Sequence, residues 1–248
     1  MPTSDLLCLV LLALALVADH FVFWPRFVRA APRQPRAARL ALWRMWLGML
    51  WAMALIVMAV WAYHGRPWRG LGFVVPTGWR VLASAGLVVA VIALYAPTVA
   101  RIGRMAPERK AMLRGRFGDH ATMLPHARAE LAWFIALSLT AGFCEELVFR
   151  GYLAWVFHPL LGTWGAAAVA CAAFALAHAY QGAGGVLRTG LIGMVMMGVV
   201  LASGSLLPAI ALHALIDVAQ GVVAWLVLRD DPRGEATGAV PTAPPIRA

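Results

Sequence analysis

The chain has 248 residues, of which 62% are hydrophobic and only 13% are charged. A soluble domain of this length would carry about a quarter charged residues, so the composition excludes a soluble globular protein and indicates a polytopic membrane protein. The net charge of +10 does not indicate a nucleic-acid partner, because the basic residues cluster in loops between apolar segments.

Seven apolar segments are long enough to cross a bilayer as helices, since about 20 residues span about 30 Å of hydrocarbon. A helix satisfies its own backbone hydrogen bonds in lipid, so helices are expected here. We therefore predict an all-α, polytopic transmembrane helical bundle of about seven spans. The segments run at roughly 6–24, 40–63, 79–97, 130–157, 164–183, 186–203 and 205–228.

The distribution of Lys and Arg predicts the orientation of these spans. Sixteen basic residues fall on one side and three on the other, which places the N-terminus outside and the C-terminus in the cytoplasm. We expect an integral protein of a bacterial inner (plasma) membrane, with the lipid bilayer as its surroundings. The three are Arg66, Arg69 and Arg80; the sixteen are Arg26, Arg29, Arg33, Arg36, Arg39, Arg101, Arg104, Arg109, Lys110, Arg114, Arg116, Arg128, Arg188, Arg229, Arg233 and Arg247.

Three regions follow from this pattern. Residues 1–129 form an N-terminal membrane region with three spans and a basic cytoplasmic loop, and residues 130–228 hold the candidate functional core. Residues 229–248 are rich in Pro, Ala, Gly and Thr and are expected to be disordered. Small buried hydrophobes are expected at Cys8, Cys144 and Cys171. An interfacial aromatic belt is expected at Trp24, Trp43, Trp61, Trp68, Trp79 and Trp225.

Six ionisable side chains lie inside the apolar segments of the core. Charges at bilayer depth cost at least a few kcal/mol each and are tolerated mainly where they pair or line a polar cavity. Glu146 and Arg150 are four residues apart and can pair on one helical face, which leaves Glu145 available. A buried salt-bridge cluster and helix-packing histidines are the alternatives. The six are Glu145, Glu146, Arg150, His178, His213 and Asp217.

The depth of these groups distinguishes between the explanations. At a rise of about 1.5 Å per residue, Glu145, His178, His213 and Asp217 fall within about 9 Å of one another in height. Independent packing histidines would have no reason to agree in depth. We therefore predict that three helices converge on one polar pocket near the middle of the bilayer.

Three motifs of this core resemble those of a known family. GFCEELVFRGYL (142–153) resembles the EExxxR motif of the CAAX protease and bacteriocin-processing family of intramembrane proteases, which includes the Ras-converting prenyl-protein endopeptidases. FALAH (174–178) is similar to its FxxxH motif, and HALID (213–217) to its HxxxN/D motif. The three occur in the family's order over about residues 130–228, and residues 1–129 support no such match.

The resemblance implies a hydrolase, an intramembrane endopeptidase that cleaves a peptide or a membrane-protein substrate such as a prenylated CAAX protein. By that resemblance Glu145 and His178 bind and activate a water, with Glu145 as general base, and His213 and Asp217 stabilise the oxyanion. Glu146 and Arg150 are expected to support the architecture. The Ras-converting members carry Asn where Asp217 stands, so Asp217 would have to be protonated, act through His213, or ligate a metal.

A divalent metal such as zinc on Glu145, His178 and His213 would also acidify a water, as in a metalloprotease. The usual helix-borne zinc signature HExxH is absent from the sequence. We therefore expect no tightly bound metal or other cofactor, with the zinc enzyme as the alternative.

Other functions remain as alternatives. A rhomboid-like serine protease needs a GxSG nucleophile, and a presenilin-like aspartyl protease needs a GxGD with a second deep Asp; the sequence has neither. A transporter or proton relay would also place carboxylates and histidines at mid-membrane, but there is no inverted repeat and the polar groups noted above lie in the last four spans. A non-catalytic, immunity-type membrane scaffold could keep the same residues.

Overall fold

The computed structural model describes residues 1–231, apart from the side chain of Asp119. Every regular element in this part is helical, which confirms the predicted all-α fold. Residues 232–248 lie outside the described part, so the disordered tail stays a prediction. The α-helices are α1 (Thr3–Ala18), α2 (Trp24–Ala30), α3 (Pro35–Tyr63), α4 (Trp79–Gly103), α5 (Pro107–Arg114), α6 (Arg128–Glu145), α7 (Ala154–Ala177), α8 (Gly182–Ser203) and α9 (Leu207–Leu228).

Within residues 1–231, six continuous helices are long and apolar enough to cross a membrane. One of them, Arg128–Ala177, has 50 residues, far more than the about 20 that a single span needs. Its backbone breaks at Gly162, where φ is 66° and ψ is −178°. With this helix divided at Gly162, the six candidate helices are compatible with the predicted number of about seven spans.

Two of the long helices contain a π-helical segment, which the sequence analysis did not predict. Asp19–Phe23 joins α1 to α2, and Glu146–Leu153 joins α6 to α7. A π-helix bonds each N–H to the carbonyl five residues earlier, and such wide turns occur mostly as short bulges, often at functional sites. Each segment begins at a buried carboxylate, Asp19 or Glu146.

Helix α6 lies at the centre of the bundle, packed between α3 and α9. Its approach to α9 depends on Gly142, where a Cβ atom would lie 2.8 Å from both the Cβ and the backbone N of Ala214. Helix α4, in contrast, is almost entirely exposed: Ile102 is its one buried residue in the described part. Because α4 is predominantly apolar between Arg80 and Arg101, this exposure is what a lipid-facing helix requires.

A buried polar cluster fastens α1 to the rest of the bundle. Arg66, in the loop after α3, donates from its two terminal nitrogens to the Asp5 carboxylate at 2.8 and 2.6 Å. The Tyr152 hydroxyl donates to the same carboxylate at 2.9 Å. Asp5 therefore joins three segments that are far apart in sequence.

The basic loop folds against the end of α9. It contains α5 and the 3₁₀ segment Gly115–Met123, and Arg114 donates from Nε to the carbonyl of Val227 at 3.0 Å.

Two assignments to the interfacial aromatic belt are wrong: Trp43 and Trp61 are fully buried inside the protein. The three cysteines are buried, as predicted.

Candidate active site

A cavity of about 490 Å³ opens among the helices. It is lined by Glu145 at the end of α6, His178 just after α7, and His213 and Asp217 on α9. The predicted convergence of these four side chains on one pocket is therefore confirmed. Phe149, Phe174, Ile192, Met196 and Ile216 give the same cavity an apolar lining.

Beneath the cavity lies a fully buried ion pair. Arg150 donates from Nη1 to Glu146 Oε1 at 3.0 Å, as the spacing of four residues predicted. Its Nη2 donates to the carbonyl of Gly193 on α8 at 3.2 Å, and the guanidinium carbon lies 3.9 Å from the centre of the Phe174 ring. Arg150 therefore connects the π-helical segment with α8 and α7.

Glu146 Oε1 also accepts a hydrogen bond from His213, an interaction that the sequence did not predict. The His213 Nδ1 atom lies 2.8 Å from this oxygen, and the carboxylate can only accept, so Nδ1 carries the proton. The opposite nitrogen, Nε2, then faces the cavity. It lies 3.6 Å from Asp217 Oδ2 and 3.9 Å from Glu145 Oε2.

His178 is held by its own helix end. Its Nδ1 donates to the carbonyl of Phe174 at 2.9 Å, one of the carbonyls that the last turn of a helix leaves unpaired. The ring also packs between Phe174 and Tyr180, with centroid distances of 4.8 and 5.9 Å. With Nδ1 engaged, Nε2 is the nitrogen left to accept a proton or hold a ligand.

Glu145 differs from its neighbour Glu146 in having no fixed partner. Neither of its carboxylate oxygens has a hydrogen-bond partner within residues 1–231, and Oε2 is buried. Glu146 Oε2 is also buried without a partner, but Glu146 Oε1 accepts hydrogen bonds from Arg150 and His213. The Glu145 Oε2 atom lies 3.9 Å from His213 Nε2, and His178 lines the same cavity. The sequence-based distinction between a held and an available carboxylate therefore matches the geometry.

The sequence analysis missed a third acidic residue of the cavity, beside Glu145 and Asp217. Asp19, from the first span, is buried in the cavity wall and accepts a hydrogen bond from Trp46 Nε1 at 2.8 Å. The expectation that polar groups are confined to the last four spans is thus wrong. Asp19 interrupts the first apolar segment, so the rule that identified the other residues would have found it.

Aromatic rings close this side of the cavity. Tyr180 packs against Trp24 and Trp46 with centroid distances of 4.8 and 5.4 Å. Trp24, assigned above to the interfacial belt, therefore packs against a ring of the cavity wall. The N-terminal region thus contributes to the site.

The donor geometry bears on the metal alternative. Among residues 1–231, no three His, Cys, Asp or Glu side chains are arranged so that they could hold a metal ion. Glu145, His178 and His213 share the cavity without forming such a set, so these three side chains, as arranged, do not fit a bound metal.

Residues 127–219 match the sequence model of the family described as "Type II CAAX prenyl endopeptidase Rce1-like". The match contains all three motifs and all six ionisable residues of the core, and it confirms the resemblance drawn from those motifs. It indicates a CAAX-type protease embedded in the membrane. No curated protein and no solved structure matches the chain.

Proposed function

We propose that the chain, whose residues 127–219 match the Rce1-like family of type II CAAX prenyl endopeptidases, is an intramembrane endopeptidase that hydrolyses a peptide bond with a water activated by Glu145 and His178. The observation that carries this proposal is the buried Glu145 carboxylate, which lines the cavity and has no hydrogen-bond partner at either oxygen among the described residues. It lies in a cavity shared with two imidazoles, each of which has one nitrogen engaged and one free to act.

In the proposed reaction Glu145 takes a proton from a water molecule as the water oxygen attacks the carbonyl carbon of the peptide bond. The C–O bond forms and the carbonyl oxygen becomes an oxyanion. The C–N bond then breaks, and the proton passes from Glu145 to the departing amine. His178 Nε2 accepts a hydrogen bond from the same water and orients it, because its Nδ1 is fixed on Phe174.

His213 is the group proposed to face the oxyanion. In its protonated form Nδ1 donates to Glu146 and Nε2 presents an N–H to the cavity. The carboxylates of Glu146 and Asp217, at 2.8 and 3.6 Å, match the positive charge of the ring. Of the three roles considered for Asp217, action through His213 fits these distances best.

The proposed substrate is a membrane-associated protein or peptide, of the prenylated CAAX type in the name of the family. The apolar lining suits hydrophobic side chains and an isoprenoid. Localisation in a bacterial inner membrane belongs to the same proposal. A glutamate-type mechanism is favoured over a metalloprotease because it needs only Glu145 and His178 in one cavity, whereas a metal needs a set of three donors that the described residues do not form.

Cleavage-site mass spectrometry tests this proposal. Membranes with the wild-type protein are compared with membranes carrying Glu145→Gln or His178→Ala, and the metal content of the same preparations is measured. Each substitution should lower the rate of cleavage by about 10²–10⁴-fold, the usual contribution of a general acid or base. Protein yield and thermal unfolding should not change.

A matched acid-to-amide control is Glu108→Gln, at an exposed position of α5 away from the cavity, which should cleave at the wild-type rate. Full activity of Glu145→Gln would show that another group is the base. Stoichiometric zinc in the active wild-type protein would favour the metalloprotease instead.

A further inference from the structure

Arg44 is a charged residue inside the membrane-spanning helix α3 that no step of the proposed reaction uses. It lies four residues, or about 6 Å, inside the apolar segment 40–63. A cation at such a position normally pairs with an acid or a carbonyl. The Arg44 side chain is exposed, and it makes no hydrogen bond and no ion pair with any residue of the described part.

The acid at the start of the neighbouring helix α6 is engaged elsewhere. Glu130 is buried, and its Oε1 atom accepts a hydrogen bond from Arg39 Nη2 at 2.8 Å. Its Oε2 atom accepts from the backbone N–H groups of His126 and Ala127 at 2.7 and 3.2 Å. Both oxygens of Glu130 are therefore occupied, and this acid is not available to Arg44.

Arg44 lies at one end of an open crease between α3 and α6. Its guanidinium carbon is 5.0 Å from the centre of the Trp133 ring on α6. Two turns further along α3, Trp51 packs on Phe143 of α6 with ring centroids 5.7 Å apart. Between these two contacts Gly48 is exposed, and a Cβ atom there would meet nothing within 4 Å. We call the surface formed by these five residues the α3/α6 crease.

The α3/α6 crease faces away from the catalytic cavity. None of its five residues lines that cavity, and Trp133 and Trp51 are 37% and 42% exposed. Since both helices cross the membrane, a surface exposed between them is exposed to lipid.

The predicted orientation places the Arg44 end of the crease at the cytoplasmic leaflet, because α3 and α6 both begin on that side. Side chains of a helix tilt towards its N-terminus, and a long arginine side chain can extend from an apolar surface to the interface. The Arg44 guanidinium can therefore reach the lipid headgroups. The cytoplasmic leaflet carries a negative surface potential from its anionic lipids, so the charges are complementary.

We propose that the α3/α6 crease binds one anionic phospholipid of the cytoplasmic leaflet, with its phosphate on Arg44 and an acyl chain passing Gly48 towards Trp51. A guanidinium holds a phosphate with two parallel, charge-assisted hydrogen bonds, which supplies the anionic partner that Arg44 lacks within residues 1–231. Contact with the Trp133 ring orients the guanidinium and leaves its N–H groups free for the phosphate. The interval from Arg44 to Trp51 is about 10 Å along the helix, and it is open to an apolar chain.

Thermal unfolding in lipid nanodiscs tests this site without measuring catalysis. The wild-type protein is unfolded in phosphatidylcholine alone and in phosphatidylcholine mixed with phosphatidylglycerol. A ligand that binds only the folded protein stabilises it, so phosphatidylglycerol should raise the unfolding temperature by about 2–4 °C. Native mass spectrometry of protein released from the mixed nanodiscs should show one retained phosphatidylglycerol.

Arg44→Gln should lose most of this shift and bind phosphatidylglycerol at least about ten-fold more weakly. Its unfolding temperature in phosphatidylcholine should stay at the wild-type value, because the replaced side chain is exposed. Arg44→Lys should keep part of the shift, since lysine retains the charge without the planar fork. The matched control is Arg36→Gln, at an exposed arginine in the first turn of the same helix, which should keep the full shift.

Equal unfolding temperatures of the wild-type protein in the two lipid mixtures would overturn the proposal. Equal losses in Arg36→Gln and Arg44→Gln would do the same, because the lipid would then be attracted by the basic surface as a whole. A dimer in native mass spectrometry that Arg44→Gln dissociates would assign the crease to a second copy of the chain instead. None of these measurements depends on cleavage, so the lipid site and the endopeptidase proposal stand or fail separately.

Discussion

Glu145 and Glu146 are adjacent in sequence, yet their surroundings give them different tasks. Glu146 is completely buried, and its Oε1 atom is held by Arg150 and His213. The Glu145 carboxylate has no hydrogen bond to any described group. The spacing of four residues was enough to predict the Glu146–Arg150 pair, because it is local to one helix. The bond from His213 could not be predicted, since it depends on how α9 packs beside α6.

The buried pair predicts a large effect on stability when only one partner is removed. Arg150→Met should leave Glu146 charged and buried with His213 as its remaining partner. We expect a loss of about 3–5 kcal/mol in the free energy of unfolding, because an uncompensated buried charge is strongly destabilising. Thermal unfolding in detergent would measure it.

The double variant Glu146→Gln with Arg150→Met is the control for this experiment. It removes both charges, so it should be more stable than Arg150→Met alone. Equal unfolding temperatures for the wild type and Arg150→Met would contradict the structural role assigned to the pair.

At the level of helices, hydropathy located the spans but not their interruptions. The break at Gly162 and the π-helical turns lie inside helices whose average hydropathy is high, and an average over a window does not detect the conformation of one turn. The close approach of α6 to α9 at Gly142 was equally hidden. Whether a glycine in an apolar segment permits a close helix contact can be seen only when the neighbouring helix is known.

Gly142→Ala should therefore disturb the site without touching a catalytic residue. The added Cβ would lie 2.8 Å from the backbone N of Ala214, so one helix must move away from the other. We expect a destabilisation of about 1–3 kcal/mol, typical of overpacking, together with a lower kcat, because Glu145 and His213 sit on the two separated helices. Cleavage rates and unfolding temperatures would show both effects.

Gly48→Ala on α3 is the matched control, because a Cβ there meets nothing within 4 Å. It should keep wild-type activity and be neutral or slightly more stable, as alanine favours helix over glycine by up to about 1 kcal/mol. If Gly142→Ala behaved in the same way, the packing of α6 on α9 would not set the geometry of the site.

For the whole molecule, the matched segment 127–219 and the functional cavity do not coincide. Leu16 and Asp19 of the first span, with Trp46 and Met49 of α3, form part of the cavity wall. The motifs predicted which late helices meet, because their chemistry recurs in the family. They carried no information about the wall from residues 1–129, whose contribution emerges only from the packed bundle.

The orientation of the bundle in the membrane is a prediction about the whole molecule. With sixteen basic residues on one side and three on the other, the C-terminus should lie in the cytoplasm. A green fluorescent protein fused there should fluoresce, and an alkaline phosphatase fused there should stay inactive. The same reporters fused after Pro76, in the loop before α4, should give the reverse result; the opposite pattern at both sites would invert the topology.

The π-helical turn from Glu146 to Leu153 lies between two parts of the long helix Arg128–Ala177 that have different neighbours. Residues before it pack against α9, which carries the candidate catalytic groups His213 and Asp217, while Tyr152 near its end donates a hydrogen bond to Asp5 on α1. The wide turn rotates the side chains of one half about the helix axis relative to those of the other half. The side chains of each half can therefore face their own neighbouring helices. Deleting a single residue within the turn would rotate one half of the helix relative to the other. The hydrogen bond from Tyr152 to Asp5 and the packing of α6 on α9 could then no longer form together.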